Sequence, residues 1–189
     1  MVGNDTFSST ENTQKGLALI FHNSLNDCNA QLDIKTQFLK DNFEKMNYDV
    51  ERHFNLPCDD MKNEIKKMKR NFESVSCLLV FVSILGDKNS RWNDVLTGII
   101  NTLQGIQSLT KKPKLIFFEG ISPKLNLEEN FFICYSSQAY IHSLCHQIFK
   151  NKKLGMLHLI GSLSESKSYL IDNKLTEEFY FDKCVSKKK

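Results

Sequence analysis

The chain has 189 residues, of which 41% are hydrophobic and 25% are charged, and its formal net charge at pH 7 is +3. These values are typical of a single globular domain with a sizeable core, and the small net charge, without a basic stripe interleaved with aromatic residues, argues against nucleic-acid binding. No apolar run reaches the roughly 18–20 residues that a membrane span needs, and the polar N-terminal residues do not have the pattern of a secretory signal.

We therefore expect a cytoplasmic protein without a membrane segment. The six cysteines form no Cys-x-x-Cys pair, and in a reducing compartment we expect them to be free thiols. His142 and His146 have a spacing that places them on one helix face, but without a third ligand they indicate a surface pair rather than a metal site. The glycines form no phosphate-binding loop, so we expect no metal and no other cofactor.

Short apolar or alternating runs predict strands, and apolar residues that recur every three or four positions predict helices. A polar stretch over residues 1–15 predicts a short disordered leader. The elements that follow are predicted, in chain order, as strand 16–22, helix 34–46, strand 48–54, helix 61–72, strand 77–85, helix 95–106, strand 115–118, strand 130–135, helix 141–148, helix 156–163 and strand 178–181.

This alternation predicts an α/β fold with a mainly parallel sheet of about six strands and helices on both faces. The sequence has no internal repeat and no linker that would divide it. We therefore expect one domain over residues 16–183, followed by a basic tail over 184–189.

Several segments resemble, in the same order, segments of the caspase protease domain. Residues 112–121, Lys-Pro-Lys-Leu-Ile-Phe-Phe-Glu-Gly-Ile, resemble the caspase strand that runs Lys-Pro-Lys, four apolar residues and Gln-Ala-Cys. Further matches to caspase segments lie at 15–20, 33–50, 54–61, 108–115, 130–136, 140–145 and 175–181. The resemblance implies a caspase-like three-layer α/β/α fold, in which 16–121 resembles the large subunit and 128–183 the small subunit.

The resemblance also implies catalytic positions at which this chain has other residues. The position of the nucleophilic cysteine is Ile121, and the position of the general-base histidine is Ile84. An isoleucine can neither attack a carbonyl nor accept a proton. The resemblance therefore predicts that the chain is not an enzyme but a pseudoenzyme of the caspase family, a pseudocaspase.

The substrate pocket implied by the resemblance is altered as well. Asn29 occupies the position of an arginine and Glu119 that of a glutamine, two residues with which caspases hold a substrate aspartate. The loop that would supply a second arginine is absent. Because a carboxylate at Glu119 would repel the aspartate, we expect this pocket to be lost.

The last predicted strand is the best candidate for an interface. In caspases the matching strand pairs with its copy across a two-fold axis, and an apolar edge strand needs a cover. The alternative is an edge capped by the lysine-rich tail. The predicted interface residues are Leu175, Thr176, Glu178, Phe179, Tyr180 and Phe181.

Three hypotheses on function follow from the resemblance. The first is a non-catalytic caspase homologue that regulates apoptosis or caspase activity by heterodimerising with an active caspase. The second is a homodimeric decoy or scaffold that binds other apoptosis proteins or pathogen proteins. The third is a cysteine hydrolase with relocated catalytic residues, such as Cys134 with His22 on neighbouring strands.

Overall fold

The computed structural model of the chain describes residues 15–24, 29–85, 91–119, 125–136, 140–163 and 169–181. These residues form a six-stranded sheet with the strand order β2-β1-β3-β4-β5-β6. The first five strands are parallel, and β6 runs antiparallel to β5. The strands are β1 (Gly16–Ser24), β2 (Tyr48–Phe54), β3 (Leu78–Leu85), β4 (Lys114–Glu119), β5 (Phe131–Ser136) and β6 (Tyr169–Asn173).

Described helices connect β1 to β2, β2 to β3 and β3 to β4, and two more follow β5. They are α1 (Asn29–Lys45), α2 (Cys58–Lys67), α3 (Asn71–Ser74), α4 (Arg91–Gln104), α5 (Tyr140–Lys150) and α6 (Met156–Leu163). A short 3-10 turn, Met68–Arg70, joins α2 to α3, so the helix predicted over 61–72 continues through three short pieces. The predicted α/β fold with a mainly parallel sheet is confirmed.

Two hydrophobic clusters lie on opposite faces of the sheet. Alternate strand residues point to opposite faces, so Val80 belongs to the cluster under α2 and α4 whereas Phe81 belongs to the cluster under α1, α5 and α6. Every residue of β4 and β5 is buried. This burial explains why these strands are continuous apolar runs rather than alternating ones.

Three asparagines set the bounds of strands by adopting positive φ angles. These are Asn47 between α1 and β2 (φ 63°), Asn55 after β2 (φ 52°) and Asn130 before β5 (φ 65°). Asparagine tolerates this left-handed conformation better than most residues because its short polar side chain can bond to the local backbone. The ends of β2 and the start of β5 are therefore encoded locally.

The strand predicted over 178–181 is wrong. The last strand of the described sheet is β6, and the later segment makes a single bridge between Gly155 and Tyr180. Phe179 accepts a hydrogen bond at its backbone oxygen from the Met156 N–H, 2.9 Å away, and its side chain is buried. A Cβ at Gly155 would overlap the Glu178 carboxylate, which is the far end of an exposed side chain, so a substitution there would displace that carboxylate.

The predicted leader, apart from Lys15, and the predicted basic tail lie outside the described residues. The Lys15 ammonium contacts the Asp49 carboxylate at 2.9 Å, which ties the start of the sheet to β2. The domain bounds at both ends stay predictions. No helix in the described ranges has both the length and the apolar character that crossing a membrane requires.

Candidate functional site

A row of polar residues crosses the sheet near the carboxyl ends of four neighbouring parallel strands. His22 of β1 is aligned with Ser83 of β3, Ser83 with Glu119 of β4, and Glu119 with Ser136 of β5. The residue before each belongs to the cluster under α2 and α4, so alternation directs all four side chains to the opposite face. Open α/β sheets bind ligands at the carboxyl ends of their strands, which makes this polar row the candidate site.

Ser83 and Glu119 form the centre of the polar row. The Ser83 hydroxyl donates a hydrogen bond to Glu119 Oε2. Burial disfavours the ionised carboxylate and raises the pKa of Glu119 to about 7, although the Ser83 hydrogen bond and the positive charge of Lys35 oppose that rise. Glu119 therefore exchanges a proton near neutral pH while retaining 9% of its surface exposed.

His22 lies at the β1 end of the polar row. Its side chain is 5% exposed, and its Nε2 atom has no hydrogen-bond partner among the described residues. Burial lowers the pKa of His22, and the charge of Lys35 on α1 lowers it further. The ring is thus kept neutral at physiological pH, with one polar atom left to bind a further group.

Not all of the predicted catalytic and pocket positions belong to the polar row. Ile84 follows Ser83 in β3, and its side chain packs, partly buried, against the cluster on the other face. Ile121 lies outside the described residues, as does the side chain of Asn29, the residue at which α1 begins. Of the predicted positions, Glu119 is the one that the structure places in the row.

The placement of Cys134 and His22 on neighbouring strands is wrong. Cys134 is on β5 and His22 on β1, and β3 and β4 lie between them, which separates the two strands by about 14 Å at the usual strand spacing. Cys134 is fully buried, and burial raises the pKa of its thiol to about 12. A neutral thiol at this distance from the imidazole is not an activated nucleophile.

The edge of the sheet at β6 is a second candidate site. Leu170 is 62% exposed and Ile171 is 39% exposed, although both are apolar. The next residue of β6, Asp172, accepts a hydrogen bond at Oδ2 from the Tyr135 hydroxyl, 2.9 Å away, which holds β6 against β5. An apolar edge strand of this kind can add a strand from another chain.

The predicted interface residues divide into a buried group and an accessible group. Phe179 and Phe181 are 4% and 0% exposed and pack in the cluster under α1, α5 and α6, so they support the surface from within. The accessible group comprises the exposed Thr176 and Glu178 and the half-buried Leu175 and Tyr180. No pattern in the sequence predicts β6, because its apolar stretch is short and follows a serine-rich segment.

Comparisons with known proteins identify solved structures that have a similar fold. No protein-family model matches the chain, and no curated protein matches it. The crystal structure of drICE aligns with a TM-score of 0.68 at 21% identity, covering 89% of this chain and 95% of drICE. That of the Drosophila initiator caspase Dronc aligns with a TM-score of 0.71 at 11% identity, covering 96% of this chain and 91% of Dronc. The chain has a caspase-like fold.

The comparisons contradict the prediction that the chain is not an enzyme. Two solved structures that share its fold over most of its length are those of drICE and of the initiator caspase Dronc. The prediction rested on the altered substrate pocket and on the isoleucines at positions 84 and 121. Their side chains exclude one arrangement of nucleophile and base, but two positions do not exclude a reaction carried out by other groups of a caspase-like domain.

Proposed function

We propose that this chain has a caspase-related function and regulates caspase activity by pairing with an active caspase through β6. The observation that carries the proposal is the apolar edge strand β6 in a caspase-like fold. Pairing would cover Leu170 and Ile171 and would satisfy backbone groups along the outer side of this strand.

The accessible part of the predicted interface extends this surface. Thr176 and Glu178 follow β6 in the chain and are exposed, and the Thr176 hydroxyl donates to Asn130 Oδ1, 2.9 Å away. This bond holds the segment after β6 to the loop before β5. We therefore propose that Leu175, Thr176, Glu178 and Tyr180 border the interface, with Phe179 and Phe181 as its support.

A cytoplasmic location is part of the proposal. The four cysteines whose side chains the structure describes, Cys58, Cys77, Cys134 and Cys145, are free thiols. Free thiols fit a reducing compartment, in which an active caspase would be accessible to the chain.

The test is to mix the purified chain with an active caspase from the same organism, at increasing ratios of chain to caspase. Light scattering reports the mass of the complex, and a fluorogenic aspartyl peptide reports the cleavage rate. We expect a heterodimer mass and a cleavage rate that changes with the amount of chain. Ile171→Lys should abolish both effects because it places a charge in the paired edge, whereas Leu157→Lys, at an exposed position on α6, should leave both unchanged.

Two outcomes of the experiment would decide against the proposal. A mixture that retains the separate masses and an unchanged rate would overturn it. A dimer mass for the chain alone, lost in Ile171→Lys and unaffected by the caspase, would favour the homodimeric scaffold instead. Cleavage of the peptide by the chain alone would show that the chain has its own activity, and the mass measurement would still decide whether it pairs.

A further inference from the structure

Positive charge collects at the end of the sheet opposite to the polar row. A helix between two parallel strands returns the chain from the carboxyl end of one strand to the amino end of the next, so α1 and α2 finish near the amino ends. Exposed lysines lie at the ends of these two helices, at Lys45 and Lys66. No ion pair among the described residues includes either lysine.

The turn between α5 and α6, residues 150–154, lies at the same end of the sheet, and we call it the basic turn. Phe149, just before it, packs edge to face against the ring of Phe43, near the end of α1, at a centroid distance of 4.8 Å. Gly155, just after it, forms a bridge with Tyr180. Three of its five residues are lysines, all exposed, and no ion pair in the described ranges includes them. The fold thus holds the basic turn from both sides and leaves its charge in solvent.

Two exposed leucines adjoin these lysines. Leu154, at the end of the basic turn, is 40% exposed, and Leu157, in the first turn of α6, is 47% exposed. The Leu154 N–H donates to the Asn151 backbone oxygen, 2.8 Å away. The leucine is therefore held at the surface by a hydrogen-bonded turn.

Two acidic residues lie in the segment that packs beside the basic turn. The Glu178 carboxylate lies against Gly155 and accepts a hydrogen bond from the Tyr180 hydroxyl, 3.0 Å away. Glu177 is exposed. The three lysines of the basic turn and Lys45 outnumber these two carboxylates, so the surface keeps a net positive charge.

Helix stability accounts for only part of this surface. A lysine in the last turn of a helix compensates the negative end of the helix dipole, which explains Lys45 and Lys150. Lys152 and Lys153 lie beyond the end of α5, and the dipole gives no reason for an exposed leucine beside them. Apolar side chains among lysines are typical of surfaces that dock on anionic membranes, where the apolar groups reach the border of the acyl chains and the lysines stay among the headgroups.

We propose that the basic turn, together with Lys45 and Leu157, docks on a membrane surface that is rich in anionic phospholipids. The lysines supply the attraction to the headgroups, and the leucines supply apolar contact. Cations at the ends of α1, α2 and α5 lie on both faces of the sheet, so a broad anionic surface can face all of them, whereas one acidic peptide cannot. Docking of this kind needs no membrane segment, and it leaves the β6 edge free to pair.

The experiment is co-sedimentation of the chain with vesicles of phosphatidylcholine alone or with about one-third phosphatidylserine. We expect binding to the second kind only, and weaker binding as salt is raised from about 0.05 to about 0.5 M, because salt screens exposed charges. A lysine near an anionic surface contributes about fivefold to partitioning. Lys153→Gln should therefore weaken binding about fivefold, and glutamine at 150, 152 and 153 together about a hundredfold.

Matched variants at the opposite end of the sheet serve as controls. Leu154→Ser should weaken vesicle binding about fivefold, since it removes the exposed part of a leucine. Leu170→Ser, at an exposed position near the start of β6, should leave it unchanged. Lys35→Gln removes one exposed charge about 15 Å along α1 from Lys45, which is more than the Debye length of about 10 Å, and should also leave binding unchanged.

Four results would overturn the proposal, provided that thermal melts show folded variants. The first is the absence of binding to either kind of vesicle, and the second is an equal loss in Lys153→Gln and Lys35→Gln, which would reduce the effect to net charge. The third is a loss confined to glutamine at 187–189, which would assign the binding to the tail. The fourth is competition by soluble polyglutamate that Leu154→Ser does not alter, which would identify an acidic protein as the partner.

The measurement uses the chain alone, with its mass determined in the same buffer. It requires no caspase, and Leu154 lies outside β6. Failure here therefore leaves the proposed pairing through β6 unaffected.

Discussion

Ser83 of β3 donates a hydrogen bond to the carboxylate of Glu119 on β4, and the two residues are register partners at the carboxyl end of the sheet. Glu119 is therefore a buried acid at the carboxyl ends of the strands, which is where parallel sheets bind ligands. One hydroxyl does not replace the hydration that a carboxylate loses on burial, and the acid therefore keeps a pKa of about 7. The stability of the fold should consequently depend on pH near neutrality.

Glu119→Gln should remove that pH dependence. Between the ordinary pKa of 4.5 and the folded value of about 7, the folded chain holds a proton that the unfolded chain has released. The free energy of unfolding therefore falls as pH rises through this window. The variant should be more stable than the wild type at pH 8, by at most about 3 kcal/mol. Urea unfolding at pH 5, 6, 7 and 8 measures this, and Glu129→Gln, at an exposed position, should retain the wild-type slope.

Lys114→Met should destabilise the fold at neutral pH. The Lys114 ammonium donates to the backbone oxygens of Leu109 and Lys112, 2.8 and 2.9 Å away, and lies 4.6 Å from the ring centroid of Phe131. A methionine leaves these two carbonyls without that donor, which should cost about 1–3 kcal/mol. Urea unfolding at pH 7 checks this, with Lys111→Met, at an exposed position, as the control. An equal loss in both variants would contradict the structural role.

The lowered pKa of Lys114 predicts that the stability of the fold changes with pH in alkaline solution. Burial lowers its pKa from 10.5 to about 8. Between these values the unfolded chain binds a proton that the folded chain has lost, so the contribution of Lys114 to the free energy of unfolding rises with pH. Comparing unfolding at pH 8 and pH 10 should show a gain in wild type relative to Lys114→Met. A constant difference between the two proteins would contradict the lowered pKa.

The thiols should react in an order set by burial. Cys58 is partly exposed, whereas Cys134 and Cys145 are fully buried, and burial raises the pKa of both. A thiol reagent at pH 8 should therefore label Cys58 while the chain stays folded. Cys134 and Cys145 should be labelled only as fast as the structure around them opens. Mass spectrometry of digests taken over time measures the order. Labelling of Cys134 as fast as Cys58 would contradict its buried position.

Phe179→Ala should act as a core substitution rather than an interface substitution. The side chain is 4% exposed and packs edge to face with Phe181 at a centroid distance of 5.1 Å. Its removal should lower the free energy of unfolding by about 3–5 kcal/mol. Leu170→Ala, at a 62% exposed position, should change it by about 0.5 kcal/mol or less. Thermal unfolding of both variants decides whether the aromatic residues of this segment belong to the core.

Asn23→Ala should loosen the carboxyl end of β1. The Asn23 amide donates to the Leu56 backbone oxygen at 2.6 Å and accepts from the Leu56 N–H at 3.0 Å, which fixes the loop between β2 and α2. Losing both bonds should cost about 1–3 kcal/mol. Hydrogen exchange at Leu56 should accelerate, whereas Asn126→Ala, at an exposed position, should leave it unchanged. Unaltered exchange in Asn23→Ala would show that other contacts hold the loop.

Local residue patterns are enough to predict the elements up to α6 and the class of the fold. Strands such as β4 are continuous apolar runs because they are buried on both faces. The asparagines at 47, 55 and 130 lie at strand ends, where their local backbone preferences favour positive φ angles. The resemblance of residues 112–121 to a caspase segment predicts that Glu119 lies at a pocket position. These features depend on neighbours in the chain, so they can be predicted from short stretches of sequence.

The pairing of the strands, in contrast, can be seen only in the folded chain. The order β2-β1-β3-β4-β5-β6 separates Cys134 from His22, aligns His22, Ser83 and Glu119 in one row, and leaves β6 rather than residues 178–181 at the edge. Strand pairing joins residues that are far apart in sequence, and no local period encodes it. For the same reason, the raised pKa of Glu119 arises from packing across several elements and cannot be predicted from its neighbours in the chain.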